Sequence, residues 1–149
     1  MTSTELIRRA SIQDLHELLA DQSRYWGDRD LRAQHLPVLV REFPETSLVA
    51  VCDNEIHGYI LGFVTPAATA YAHLIATRDD ARGTGLGRRL YAAFADAARR
   101  QGAARLKAIT SPTNAGSIAF HRSLGFGTEL VPDYSGPGQD RIVFGMELR

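Results

Sequence analysis

Between residues 77 and 102 the chain reads TRDDARGTGLGRRLYAAFADAARRQG, with Gly83, Gly85 and Gly87 standing between an apolar run and a helical pattern. Leu86, Leu90, Phe94 and Ala97 recur at helical spacing and Gly102 supplies a stop, so one amphipathic helix is predicted from about residue 85 to 101. Glycines at its start let the backbone turn tightly and bring several N–H groups to one point, where the free amides and the helix dipole favour an anion. A phosphate or pyrophosphate fits such a place. It is not a P-loop, because Gly87 is followed by Arg88 and Arg89 where Lys and Ser or Thr are required. Nor is it a Rossmann turn, because positions 88 and 90 are Arg and Leu where a third glycine would stand.

The rest of the chain surrounds this unit with strands. ELIRRA reads as a first strand, and SIQDLHELLADQ as a helix with Ser11 as N-cap, Asp14 in the capping-box position and Ile12, Leu15, Leu18 and Leu19 on one face. DLRAQHLPVLVREF reads as a second helix that Pro37 disturbs. SLVAVCD, EIHGYILGFVT and TAYAHLIAT read as strands, the first two joined by a turn at Asp53 and Asn54. After the long helix come the strand ARLKAIT, a short helix NAGSIAFHRSL with Asn114 as N-cap and Gly125 as its C′ residue, and closing strands GTELV and RIVFGMEL. The expectation is one mixed α/β (α+β) domain over residues 1–149, with a largely antiparallel sheet of about seven strands and about four helices.

Lysine plus arginine and aspartate plus glutamate number 17 each, which removes the global pull towards nucleic acid or anionic membranes. Any anion site is therefore local. No apolar run is long enough to cross a bilayer and MTSTELIRRAS lacks the core of a signal peptide, so a soluble, cytoplasmic protein is expected. The lone Cys52 has no disulfide or metal-ligand partner and no metal is expected.

Arg82-x-x-Gly85-x-Gly87, following a strand and opening a helix, resembles the pyrophosphate-binding signature of the GNAT superfamily of acyl-CoA-dependent N-acetyltransferases. NAGSIAFHRSLGF resembles that superfamily's Asn-x-x-Ala-x-x-x-Tyr-x-x-x-Gly-Phe helix: Asn114, Gly125 and Phe126 match, Ser117 stands for alanine and His121 for tyrosine. The order of elements agrees over essentially the whole chain. The resemblance implies acetyl-CoA as co-substrate, held where two central strands splay. Ile75, Ala76 and Thr77 would meet the pantetheine, and Arg82, Gly83, Thr84, Gly85, Leu86, Gly87 and Arg88 the pyrophosphate. Asn114, Ser117 and Phe120 would complete the coenzyme site, with Arg88, Arg89 or Arg78 pairing phosphate oxygens.

Acetyl transfer from a thioester to an amine needs no covalent enzyme intermediate, so direct attack is expected. An amine of lysine-like pKa must first lose a proton, at a cost of about 4.6 kcal/mol at pH 7. His73 is the expected base, with Tyr71 two residues earlier holding a relay water. Asp133 and Asp140 are alternatives that attract the ammonium or simply form turns. The family tyrosine is assigned as donor to the departing sulfur, and His121 stands in its place. An imidazolium of pKa about 6.5 donates to a thiol of about 8.5 downhill by roughly 2.7 kcal/mol, so His121 is either the general acid or a ring that packs by the coenzyme. Tyr25, Trp26, Asp28 and Tyr134 are candidate acceptor contacts. A small-molecule amine is the expected partner, with no nucleic acid or membrane, in a monomer or homodimer. A non-catalytic acyl-CoA sensor is the alternative, and a nucleotide-phosphate binder a more distant one.

Overall fold

A computed structural model describes residues 4–148. Seven strands, β1 (Glu5–Arg9), β2 (Ser47–Cys52), β3 (Glu55–Val64), β4 (Thr69–Thr77), β5 (Arg105–Thr110), β6 (Gly127–Val131) and β7 (Arg141–Glu147), form one sheet in the order β1-β2-β3-β4-β5-β7-β6. β4 and β5 run parallel and the other neighbours antiparallel. The helices are α1 (Ile12–Ala20), α2 (Gln22–Trp26), α3 (Pro37–Glu42), α4 (Leu86–Arg100) and α5 (Ala115–Ser123).

Local chemistry sets most of these boundaries. Ser11 Oγ accepts from the Asp14 amide at 3.0 Å while the Asp14 carboxylate accepts from the Ser11 amide at 2.7 Å, closing the expected capping box of α1. Asp53 and Asn54, at φ 52° and 66°, make the two-residue turn between β2 and β3. The helix expected over DLRAQHLPVLVREF is shorter than its pattern. Residues 32–34 form a single 3₁₀ turn, and α3 begins at Pro37, which occupies its first turn and forces Leu36 into an extended conformation (φ −80°, ψ 118°). α2 is separate from α1 and ends at Gly27 (φ 61°), so the described residues hold five α-helices where about four were expected.

Two cores lie on opposite faces of the sheet. α4 and α5 bury Leu86, Leu90, Phe94 and Tyr91 against Ile60, Ala70, Ala72, Leu106 and Phe144. α1, α2 and α3 bury Leu15, Leu18, Tyr25, Leu39 and Val40 against Val49, Tyr59, Leu61 and Leu74. Burial of these aliphatic and aromatic side chains, at about 25 cal/mol per Å² of apolar surface, is the main force holding both layers to the sheet.

Two irregularities of β4 position the site. Leu61 pairs with Leu74 and Gly62 with Ala72, which leaves His73 as the extra residue of a β-bulge. β4 then pairs with β5 only at Thr69↔Arg105, Ala70↔Leu106 and Tyr71↔Lys107, whereas β5 stays paired with β7 as far as Thr110. Beyond Tyr71 the two parallel strands therefore separate in mid-sheet.

Candidate active site

The gap between β4 and β5 opens into a cavity of about 1300 Å³. The side of β4 that faces it contributes Ala72, His73, Ile75, Ala76 and Thr77, and β5 contributes Ala108, Ile109 and Thr110. The glycine loop forms one end through Arg82, Gly83, Gly85, Leu86, Gly87 and Arg88. Gly83 and Gly85 adopt φ of 77° and 82°, a left-handed backbone that side chains disfavour, and Gly85 is the N-cap of α4. Its carbonyl receives the first helical hydrogen bond, from the Arg89 amide at 3.1 Å, so the amides of Leu86, Gly87 and Arg88 have no acceptor within the helix. Gly87 has a packing reason as well, because a Cβ there would lie 2.8 Å from the Phe120 ring. Its absence lets α4 and α5 close on each other beside the loop.

The arginines near this loop have separate fates. Arg89 is paired with Glu5 at 2.7 Å, and Arg78 is buried in a cluster with Asp80 at 2.7 Å and Glu55 at 3.4 Å, so neither is free for a phosphate as expected. Arg88 and Arg82 line the cavity and donate only to the carbonyls of Ser123 and Tyr25, at 3.2 and 2.9 Å. Thr84 lies outside the lining, its hydroxyl donating to the Ala81 carbonyl at 2.6 Å. Asn114 and Ser117 line the cavity at the start of α5, where the Asn114 side chain caps the helix by accepting from the Ser117 amide at 3.1 Å.

His121 differs most from its expected role. It is 3 % exposed, stacked on Phe144 with ring centroids 4.0 Å apart and planes 2° from parallel. Its Nδ1 lies 2.8 Å from the Ser117 carbonyl, which can only accept, so Nδ1 carries the hydrogen. Nε2 then accepts from the Tyr91 hydroxyl at 2.7 Å. Burial pushes its pKa down, and burial pushes that of Tyr91 up. His121 thus borders the cavity with both ring nitrogens engaged by the protein, and it ties α5 to α4.

His73 is arranged in the opposite way. It is half-buried at the bulge and its Nε2 lies 2.9 Å from the Gln34 carbonyl, so Nε2 carries the hydrogen and the neutral ring presents Nδ1 as a free acceptor. The segment that carries Gln34 is held by a buried chain of hydrogen bonds. Trp26 Nε1–H donates to the Tyr59 hydroxyl at 2.8 Å, that hydroxyl donates to His35 Nε2 at 2.6 Å, and His35 Nδ1–H donates to the Leu31 carbonyl at 2.7 Å. This buried chain pins Trp26 and the 31–35 segment onto β3. The Tyr71 ring lies 6.4 Å from that of His73, on the cavity wall.

The remaining expected acceptor contacts divide. Trp26 and Tyr25 both border the cavity, Tyr25 while buried and with its hydroxyl donating to the Ile56 carbonyl at 2.9 Å. Tyr134 lies outside the main cavity in an adjoining cleft of about 350 Å³, which it shares with Tyr71 and Lys107. Asp133 and Asp140 are loop formers: Asp140 accepts from the Asp133 amide at 2.9 Å, and Asp133, at φ 56°, accepts from the Gly138 amide at 2.8 Å. Neither they nor Asp28 line the cavity.

The family model of the Acetyltransferase (GNAT) family matches residues 12–126. The chain belongs to this family. Among curated relatives, the L-2,4-diaminobutyric acid acetyltransferase of Nocardia farcinica is 30% identical over 121 residues, covering 78% of this chain and 62% of that protein. Among solved structures, Ard1 from Thermoplasma volcanium superimposes with a TM-score of 0.81 at 23% identity, covering 97% of this chain and 98% of that one. The ribosomal-protein-alanine N-acetyltransferase from Brucella melitensis gives 0.72 at 28%, covering 96% and 99%. The GNAT chain thus spans under two thirds of the curated relative's length and nearly all of both solved structures.

Arg29, Leu31, Ser135, Gln139 and Arg141 of this GNAT chain also line the cavity, within QSRYWGDRDLR and VPDYSGPGQDR, the stretches where acceptor contacts are expected, and Gln34 lines it from the 3₁₀ turn. Outside regular helices and strands no periodicity marks which of these side chains faces the site.

The two buried histidines make the fold acid-sensitive. Burial holds both His35 and His121 below the usual histidine pKa of about 6.5. As pH falls through that value the unfolded chain takes up protons that the folded chain refuses, so stability is full above it and declines below, until the lowered folded-state values are passed. Urea midpoints measured between pH 8 and 5 are expected to fall, and the fall should shrink in His121→Asn, whose amide does not titrate. An unchanged pH slope in that variant would remove His121 from this account.

Proposed function

We propose that the chain is an acyl-CoA-dependent N-acetyltransferase that moves an acetyl group from acetyl-CoA to the primary amine of a small molecule, by direct attack in a ternary complex. The observation that carries this reading is the single cavity in which the unpaired stretch of β4 runs from the glycine loop to the His73 bulge. The free amides of Leu86, Gly87 and Arg88, with Arg82 and Arg88, suit a pyrophosphate at one end. The edge of Ile75 to Thr77 turned away from β3, which has no β5 partner, suits the amides of a pantetheine arm, and the apolar walls suit its methylenes. Acetyl-CoA supplies the activated thioester, whose carbonyl would lie near the strand split.

His73 Nδ1 takes a proton from the incoming ammonium, directly or through a water held near Tyr71. The freed nitrogen bonds to the acetyl carbon and the carbon–sulfur bond breaks. One ammonium proton ends on the thiol, one is released to solvent, and one stays on the amide product. With both nitrogens of His121 engaged by Tyr91 and Ser117, water or the His73 imidazolium protonates the thiolate. The relative that acts on diaminobutyric acid supports a small acceptor.

The test is release of free thiol from acetyl-CoA across a panel of amines that includes amino acids, diamines and an alanine-initiated peptide. Release with small amines is the expected result. Tight acetyl-CoA binding with no release on any amine would return the protein to the class of acyl-CoA sensors, and release with the peptide alone would move the acceptor to protein N-termini.

A further inference from the structure

The cavity is lined by Arg29, Arg82, Arg88 and Arg141 and, among the described residues, by no aspartate or glutamate. None of the four has a carboxylate partner among the described residues, whereas Arg8, Arg24, Arg32, Arg78 and Arg89 are each ion-paired elsewhere. Arg82 and Arg88 belong to the glycine loop, where a pyrophosphate answers their charge. Arg141 and Arg29 do not.

Arg141 opens β7, whose Ile142, Phe144 and Met146 pack into the core beneath α4 and α5. Side chains alternate along a strand, so Arg141 emerges on the other face. Tyr71 faces that side too, packed on Phe63, which belongs to the core of α1, α2 and α3. Arg141 is half-buried, and its one hydrogen bond runs from Nη1 to the neighbouring Asp140 carbonyl at 2.8 Å. Arg29 reaches the cavity from the loop after α2, its guanidinium 5.8 Å from the centre of the Trp26 ring. Near Arg141 in sequence, Asp133 and Asp140 accept from loop amides and Glu147 lies by Arg105, and beside Arg29 the Asp30 carboxylate is paired with Arg32.

We propose that the acceptor is an amine that also bears a carboxylate, a free amino acid or close analogue, and that Arg141, assisted by Arg29 at the rim, binds that carboxylate and sets the choice of acceptor. Arg141 and Arg29, the two cavity charges that a pyrophosphate does not answer, repel a diamine or a polyamine, whereas a zwitterion delivers its ammonium to His73 while its carboxylate meets a guanidinium. The planar fork of arginine suits a carboxylate bidentately. This inference rests on the acetyltransferase reading and narrows its acceptor.

The test compares kcat/KM for amino acids with that for their primary amides and for the decarboxylated amines, in the wild type and in Arg141→Gln and Arg141→Lys. The wild type is expected to favour the amino acid by about ten- to a hundredfold, the worth of a charge-assisted hydrogen bond to a partly buried group. Arg141→Gln should bring that ratio near one, chiefly through KM for the acceptor, and Arg141→Lys should restore part of it. Equal or better use of the decarboxylated amines by the wild type, or an unchanged ratio in Arg141→Gln, overturns the proposal. Should no amine be acetylated, calorimetric titration of the CoA-loaded protein with N-acetyl amino acids against the matching N-acetyl amines decides it alone. Carboxylate-dependent binding that Arg141→Gln abolishes sustains the anion pocket even if acetyl transfer fails, and equal binding of both removes it.

Discussion

His73→Gln is expected to lower kcat by roughly 10²- to 10⁴-fold, the usual contribution of a positioned general base. Glutamine is the informative replacement because its side-chain amide can still donate to the Gln34 carbonyl that now receives His73 Nε2–H at 2.9 Å. The wall of the cavity is then kept while the free acceptor at Nδ1 is lost. KM for acetyl-CoA should change little, since the contacts proposed for the coenzyme run from Ile75 to Thr77 and along the glycine loop. The deficit should shrink by about tenfold for each unit of pH as long as the acceptor remains mostly protonated, because more of the amine then arrives with its lone pair free. Steady-state rates measured from pH 6 to 10 check both statements. A variant within threefold of the wild type across that range would transfer the role of base to water.

The largest effect on stability is expected at Gly62. A Cβ there would stand 2.2 Å from the Tyr71 carbonyl oxygen and 2.8 Å from the Phe94 ring. Gly62 pairs with Ala72 beside the extra residue His73, so β3 and β4 approach most closely where the bulge forms. Phe94 is wholly buried and cannot yield freely, and a shift of the Tyr71 carbonyl disturbs the last residue that β4 pairs with β5. Overpacking of this kind costs about 3 kcal/mol or more. In a chain of this size that lowers Tm by roughly 6–12 °C, and the cavity should bind acetyl-CoA more weakly in the same variant. Gly145→Ala is the control, because a Cβ at that position on β7 meets nothing within 4 Å. Equal melting temperatures for Gly62→Ala and Gly145→Ala would show that the bulge tolerates a side chain.

The two predictions share a cause. The bulge that turns His73 into the cavity and the close approach that requires glycine at residue 62 are one local departure from regular pairing. Along the sequence, TAYAHLIAT alternates like an ordinary strand and Gly62 looks like an ordinary weak point in EIHGYILGFVT. Only the register between β3 and β4 shows that one residue is in excess.

What the sequence by itself determined is what neighbours along the chain decide. Gly83, Gly85 and Gly87 before an amphipathic run specify a turn, a helix start and a set of free amides. Asn114 caps α5 and Ser11 with Asp14 caps α1 through atoms three residues apart. The hydrophobic period of α4 places Leu86, Leu90 and Phe94 on the sheet, and Pro37 marks the start of α3, although not that the preceding turn of the helix is absent.

What only the tertiary structure decided is which distant groups meet. His121 has the spacing of a catalytic residue, but Tyr91 and Phe144, 30 residues before it and 23 after, enclose its ring and claim its nitrogen. Arg89 and Arg78 have the same charge and neighbourhood as Arg88, yet Glu5 and Asp80 neutralise them and leave Arg88 to the cavity. Arg141 lies at a strand end with no motif around it, and the order β4-β5-β7 brings it to the cavity. The reason is physical. Caps, turns and helical faces arise from interactions within a few residues, whereas burial, tautomer and unbalanced charge depend on groups that the sheet brings together from far along the chain.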